Sequence, residues 1–62
     1  MKRNLYRCID CPDVIVQYIA EVTDRKGQTK WPAVLYRDED GYHTRPVAEF
    51  HRMFKPAPEA MQ

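Results

Sequence analysis

With 62 residues the chain is long enough for one domain and too short for two, and folding at this length hides only about 60% of the surface that the unfolded chain exposes. A hydrophobic content of 44%, with seven aromatic residues, excludes a disordered polymer, and ten basic against nine acidic residues, a net charge of +1, give no support to strong nonspecific binding of nucleic acid. No apolar run approaches the roughly 20 residues that span a bilayer, and residues 1–3 are not followed by the apolar core of a secretion signal, so we expect a cytoplasmic protein that does not enter a membrane.

The first part of the chain predicts two strands. Residues 5–9, LYRCI, favour a short first strand that the polar and proline-containing segment 10–13 ends. Residues 13–24, DVIVQYIAEVTD, alternate at a period of two, as a long strand does. One face is apolar and the other mixed: Val14, Val16, Tyr18, Ala20 and Val22 against Ile15, Gln17, Ile19 and Glu21. A helix is the competing interpretation, but five of the first ten residues are β-branched, which favours the strand.

A turn and a further strand follow. Residues 24–27, DRKG, have turn chemistry, with a glycine that can take positive φ. Pro32 has no backbone N–H to donate to a neighbouring strand. The next strand is therefore either an edge at Pro32 or begins only at Ala33, and it runs to Arg37.

The acidic segment 38–41, DEDG, predicts a hairpin loop of three to five residues with its glycine in the left-handed conformation. The strand that resumes at Tyr42 is stopped by Pro46, whose φ also suits the start of a helix.

Two interpretations are open for the residues after Pro46. In the first, apolar positions at i, i+3, i+4 and i+7 favour a short helix over the open end of the sheet: Val47, Phe50, His51 and Phe54. In the second, residues 46–49 form a single 3₁₀-like turn and residues 50–54 a last short strand. Both bury Phe50 and Phe54. We expect residues 55–62 to be a frayed tail and residues 1–54 to form the single domain.

The predicted fold is mainly β: a small, strongly bent antiparallel sheet or SH3-like barrel of four to five strands, with one short helical turn after Pro46. A set of spaced residues resembles the signature of a family of small, uncharacterised bacterial and phage domains. The set is Val34, Tyr36, Arg37, Gly41, Arg45, Pro46 and Phe50, which gives V-x-Y-R, a glycine turn and R-P-x-x-x-F. The resemblance covers about two dozen residues. It implies an SH3-like small barrel and no established reaction.

Two cysteines and two histidines are the residues that suggest a metal. Cys8 and Cys11 have the C-x-x-C spacing at which two thiolates share one zinc ion, and His43 and His51 would have to complete the site. The favoured interpretation is two reduced cysteines and no metal. A redox dithiol needs its C-x-x-C at the start of a helix. Here the C-x-x-C is followed by a β-branched run that favours a strand.

Other reactive sites find little support. The acidic segment 38–40 lacks the twelve-residue loop of a calcium site, so we interpret it as a solvated turn. Serine is absent from the chain, and two glycines do not make a phosphate-binding loop. A cysteine nucleophile with either histidine lacks a scaffold of cleft-forming size. We therefore predict no catalytic activity, no cofactor and no small-molecule substrate.

Aromatic and basic residues alternate in the middle of the chain and predict a binding surface: Trp31, Tyr36, Arg37, Tyr42 and Arg45. Arg45 has a competing structural role, because Glu49 lies four residues on and is a suitable carboxylate partner. Most aromatic residues of so small a domain must serve its core, which leaves few to stack on the bases of a nucleic acid. We therefore predict a binding module that engages another protein, or a second copy as a homodimer, through the remaining surface. Such a binding module suits a phage or plasmid accessory factor that inhibits a molecular machine of its host. The alternative is an SH3-like or OB-like binder of RNA or single-stranded DNA.

Overall fold

The computed structural model describes residues 4–57, which form one antiparallel sheet of five strands and one short helix. The elements are β1 (Asn4–Cys8), β2 (Ile15–Lys26), β3 (Thr29–Asp38), β4 (Gly41–Pro46), α1 (Val47–Met53) and β5 (Phe54–Pro56). The strand order is β4-β3-β2-β1-β5, and across the described residues the sheet is not closed. The predicted mainly β fold with a helical turn after Pro46 is therefore confirmed.

A β-bulge divides β2 and corrects the prediction of one continuous apolar face. Tyr18 pairs with Tyr36, but the next pair is Ala20 with Leu35, so Ile19 is an extra residue on β2. Past this bulge the alternation of faces is reversed. Val16 and Tyr18 therefore face the core, whereas Ala20 lies on the opposite face of the sheet.

The β2–β3 connection is a two-residue turn of Gly27 and Gln28, flanked by the paired Lys26 and Thr29. Gly27 has a φ of 61° and Gln28 a negative φ, which is the pattern of a type II′ turn. The turn begins two residues later than the segment 24–27 predicted.

Pro32 is accommodated inside β3 because its outer side has no partner at that point. Pro32 pairs with Thr23 on β2, and β4 begins to pair with β3 only at Ala33, opposite Pro46. The missing N–H of Pro32 would face this open side, so no hydrogen bond is lost. The first of the two predicted alternatives, an edge at Pro32, is confirmed.

The acidic turn between β3 and β4 is at the predicted place but is shorter than predicted. Glu39 and Asp40 alone separate the paired Asp38 and Gly41. Gly41 has a φ of 126°, which lies in the positive range without being left-handed helical. In an antiparallel pair, hydrogen-bonded and non-hydrogen-bonded residue pairs alternate. Because the loop has two residues, the pair that closes it is hydrogen-bonded, and this determines which residues of β4 bond to β3.

The helix interpretation is correct for residues 47–53, and the strand interpretation of residues 50–54 is wrong. Phe50 on α1 is fully buried at the centre of the core. Its ring centroid lies 4.9 Å from Phe54, 5.1 Å from Tyr6, 5.4 Å from Tyr36 and 5.9 Å from Tyr18. One aromatic side chain thus connects the helix to four strands.

The sheet continues into the segment that the sequence assigns to a tail. Lys55 and Pro56 pair with β1, and Ala57 is fully buried, its N–H donating to the carbonyl of Leu5 over 2.9 Å. Residues 58–62 of the predicted tail lie outside the described residues.

Candidate interaction surface

The outer side of β4 has no strand paired with it within residues 4–57. Because Asp38 and Gly41 close a two-residue loop, they form a hydrogen-bonded pair, and such pairs alternate from there along the strand. Tyr42 and Thr44 therefore direct their backbone N–H and C=O groups away from β3. These two residues offer two donors and two acceptors to a further strand.

The other open edges of the described sheet carry features that hinder strand addition. β5 has only three residues and ends in Pro56. The part of β3 that extends beyond β4 contains Lys30 and Pro32. The part of β2 that extends beyond β1 starts at the bulge of Ile19. β4 has neither a lysine nor a bulge, and its proline is its last residue.

Three of the five predicted surface residues lie on the face of the sheet away from α1, which we call the outer face. Trp31 and Arg37 share this face on β3, and Tyr42 lies beside Arg37 on β4. The guanidinium carbon of Arg37 is 5.7 Å from the ring centroid of Tyr42, a cation–π distance. Tyr42 is 65% exposed. The exposed aromatic ring and its cation therefore stand next to the open edge of β4.

The sheet coils over its outer face at Trp31. Ala33 is fully buried on this face, although α1 covers the opposite one. The hydroxyl of Thr44 on β4 lies 3.5 Å from the Oδ2 atom of Asp24 on β2, across the intervening β3. The indole Nε1 of Trp31 is buried without a hydrogen-bond partner among the described residues. Trp31 is thus partly buried and is not a free stacking platform.

Tyr36 and Arg45 are not surface groups, which corrects their place in the predicted surface. Tyr36 is 3% exposed and lies in the core. Arg45 donates from Nε to the Tyr36 hydroxyl over 2.8 Å and from Nη1 to Glu49 Oε1 over 2.9 Å. The Tyr36 hydroxyl, and after it Glu49, raise the pKa of Arg45 above its ordinary value. The competing prediction, a structural Arg45 paired with Glu49, is confirmed.

Residues 23–32 form a two-stranded ribbon beyond the ends of the described β1 and β4, and its tip is basic. Arg25 pairs directly with Lys30, and Lys26 stands at the turn. Like charges that face each other across two strands destabilise the pair. The nearest carboxylate in the sequence, Asp24, accepts hydrogen bonds from the backbone of Arg25 and from Thr44. Sequence reasoning missed this cluster because only the turn brings its members together.

Acidic residues gather at the opposite end of β2. Two shallow grooves of about 210 and 280 Å³ meet at Ile15 and are lined by the acidic turn. Both volumes fall below the roughly 300–1,000 Å³ of ligand pockets. Asp38 Oδ1 accepts from the Asp40 N–H over 2.8 Å and lies 3.0 Å from His43 Nε2. Burial alone would raise the pKa of Asp38, but these hydrogen bonds outweigh it and lower the pKa.

The cysteines and histidines do not converge on a common point. Among residues 4–57 no three or more His, Cys, Asp or Glu side chains are arranged to hold a metal ion. His43 is bound to Asp38, and His51 lies against Phe50. Cys8 packs against the core and Cys11 is exposed. The hydrogen bond between the two thiols raises the pKa of Cys11, which disfavours the thiolate that a metal or a nucleophilic reaction needs.

No family model, no curated protein and no solved structure matches this chain. The only helix across residues 4–57 has seven residues, too few to cross a membrane.

Proposed function

We propose that this chain is a noncatalytic, cytoplasmic binding module of SH3-like architecture that engages another protein along the edge of β4. The observation that carries the proposal is the open edge itself, with its outward backbone groups at Tyr42 and Thr44. An extended segment that pairs with such an edge gains main-chain hydrogen bonds, and side chains beside the edge select it.

The composition of the neighbouring surface supports a protein partner. Tyr42 is 65% exposed and Arg37 stacks against its ring. Tyrosine and arginine are enriched at the centres of protein interfaces. The SH3-like part of the proposal draws support from the five-stranded order and the helical turn before the last strand.

The polar groups beside the two grooves offer little to a small ligand. The two grooves are shallow, and the polar groups beside them, such as Asp38, are already bonded within the fold. Because the chain resembles small phage and bacterial domains, we also propose that it acts as an accessory factor that inhibits a molecular machine of the host.

A pull-down from the native host with a tagged chain, read by mass spectrometry, tests the proposal. We expect Tyr42→Ala to lose the specific partner, because this substitution removes the exposed ring beside the edge. Ile19→Ala is the matched control, since Ile19 is another exposed apolar residue, 40% accessible, that lies on a different edge. Equal capture by both variants would contradict the proposal.

The basic tip of the ribbon favours one alternative, an RNA or single-stranded DNA binder. Arg25, Lys26 and Lys30 lie together at the tip and would follow the phosphates of a single strand. NMR titration with mixed oligonucleotides tests it: shifts at the tip that weaken steeply between low and moderate salt would favour nucleic acid over protein. Shifts confined to β4, or none, would count against it.

A further inference from the structure

We propose that two copies of this chain pair antiparallel along β4, with Tyr42 of one copy opposite Thr44 of the other, so that their sheets join across a two-fold axis at His43. The inference rests on the proposed function, which names β4 as the binding edge. It adds the partner, a second copy, and the register of the pairing.

The hydrogen-bonding pattern of β4 is self-complementary. The outward groups belong to Tyr42 and Thr44, two residues apart. In a two-fold pairing centred on His43, each Tyr42 meets the other copy's Thr44 as a hydrogen-bonded pair, and the two His43 residues form the non-hydrogen-bonded pair between them. All four outward groups of each copy are then satisfied by four bonds across the axis.

The charges at the two ends of β4 favour the antiparallel direction. The strand begins after the acidic residues Asp38, Glu39 and Asp40 and ends at Pro46, after Arg45, which is paired with Glu49. In the proposed register Gly41 of each copy stands opposite Arg45 of the other, so the two acidic turns lie at opposite ends of the paired strands. A parallel pairing would place acidic turn beside acidic turn, so the pattern discriminates between the two directions.

The histidines at the axis do not oppose the pairing. Each His43 ring is held by Asp38 of its own chain, with 3.0 Å between Nε2 and Oδ1. Any charge that His43 carries is therefore compensated locally. Two-fold pairing of identical patches is the commonest route to a homodimer, and it closes without producing fibres.

Sedimentation equilibrium from low micromolar to millimolar concentration tests the proposal with a matched pair of variants. Thr44→Pro removes one outward N–H per copy and so two of the four hydrogen bonds. Thr44→Val removes the same side-chain hydroxyl but keeps the N–H. We expect a monomer–dimer equilibrium in the native chain, a dissociation constant raised roughly tenfold or more by Thr44→Pro, and little change with Thr44→Val.

A cross-linking experiment covers the case in which Thr44→Pro fails to fold. In a Cys8→Ser, Cys11→Ser background, we expect His43→Cys to form an intermolecular disulfide on oxidation, because the Cα atoms of a non-hydrogen-bonded pair lie about 4.5 Å apart. Gln28→Cys, at the exposed ribbon tip, is the control. Cross-linking of His43→Cys no faster than the control overturns the proposal.

Other outcomes separate this inference from the proposed function. A clean monomer at millimolar concentration overturns the dimer. If Tyr42→Ala still loses a specific host partner in the pull-down, the edge of β4 binds another protein and the proposed function stands. A dimer equally strong in Thr44→Pro and Thr44→Val would place the contact elsewhere and overturn the proposed register.

Discussion

The half of the sheet under α1 and the ribbon of residues 23–32 are built from the same two long strands but are stabilised differently. The covered half holds a buried aromatic and aliphatic core: Val16, Val34, Tyr36, Phe50 and Phe54. In the ribbon the described structure has mostly strand pairing, and of its residues only Trp31 and Asp24 are even partly buried.

A small domain can thus concentrate its stability in one place and leave other parts free to bind. A core of this size rarely supplies more than about 3–5 kcal/mol. If most of that free energy comes from the packing around Phe50, substitutions in the ribbon should be tolerated far better than substitutions in the covered half.

Truncation of Phe50 has the largest expected effect. Phe50→Ala leaves a cavity among four aromatic neighbours, and such changes cost about 3–5 kcal/mol. That equals the whole expected stability, so we predict a largely unfolded chain by circular dichroism. Ile19→Ala, at a position 40% exposed on the ribbon side of the sheet, should retain a cooperative urea transition within about 1 kcal/mol of the native one. A folded Phe50→Ala would show that the packing around Phe50 does not supply most of the stability.

The next largest expected effect is the loss of stability when alanine replaces either of the two turn glycines. No atom lies within 4 Å of a Cβ added at either position, so alanine acts there through the backbone alone. Gly41, at a φ of 126°, lies outside the left-handed helical region, and we expect Gly41→Ala to cost about 1–3 kcal/mol. Gly27, at 61° in its type II′ turn, is also unfavourable for a residue with a Cβ, but this turn closes only the ribbon, which can open locally without the core, so we expect Gly27→Ala to cost about 1 kcal/mol.

Urea unfolding of both alanine variants measures this difference. Hydrogen exchange of the backbone amides should also show where each variant is destabilised. In Gly27→Ala we expect faster exchange only within the ribbon, whereas in Gly41→Ala we expect it in the strands that α1 covers. A larger cost for Gly27→Ala would show that the ribbon contributes more to folding than its packing indicates.

Much of this architecture could be predicted because residues close together in the sequence determine it. Alternation identified the strands, the acidic segment marked a turn, and the spacing around Phe50 identified the helix. The Arg45–Glu49 ion pair followed from an i, i+4 spacing alone. In each case a few neighbouring residues determine the geometry.

The features that escaped prediction depend on contacts between distant segments. Ile15 to Val22 alternate without interruption, and only the pairing with β3 requires the extra residue at Ile19. Tyr36 and Trp31 are both aromatic strand residues, yet the position of α1 decides that Tyr36 is buried. β4 is an outer strand because β1 and β5 pair at the other side, which no local spacing records.

A smaller effect is expected at the Tyr36 hydroxyl in the covered half. Tyr36→Phe removes the acceptor of a 2.8 Å hydrogen bond from Arg45, which keeps its second bond to Glu49. We expect a loss of about 0.5–1.5 kcal/mol in the free energy of unfolding. Tyr42→Phe, at the exposed tyrosine of the open edge, should leave stability unchanged. Equal effects would show that the hydrogen bond contributes nothing.

The smallest predicted effect is the pH dependence that Asp38 imposes on the covered half. Burial opposes ionisation of this carboxyl, but the Asp40 N–H and then His43 lower its pKa below the ordinary 3.8. A carboxyl with a lowered folded pKa stabilises the fold fully above its unfolded pKa, and this contribution disappears as the pH falls through the folded value. Asp38→Asn should therefore unfold more readily near neutral pH and respond less to acid below about pH 4. Glu39→Gln removes a charge from the same loop while leaving both hydrogen bonds of Asp38, so its acid transition should match that of the native chain. An NMR titration that places the Asp38 midpoint at or above 3.8 would contradict this assignment.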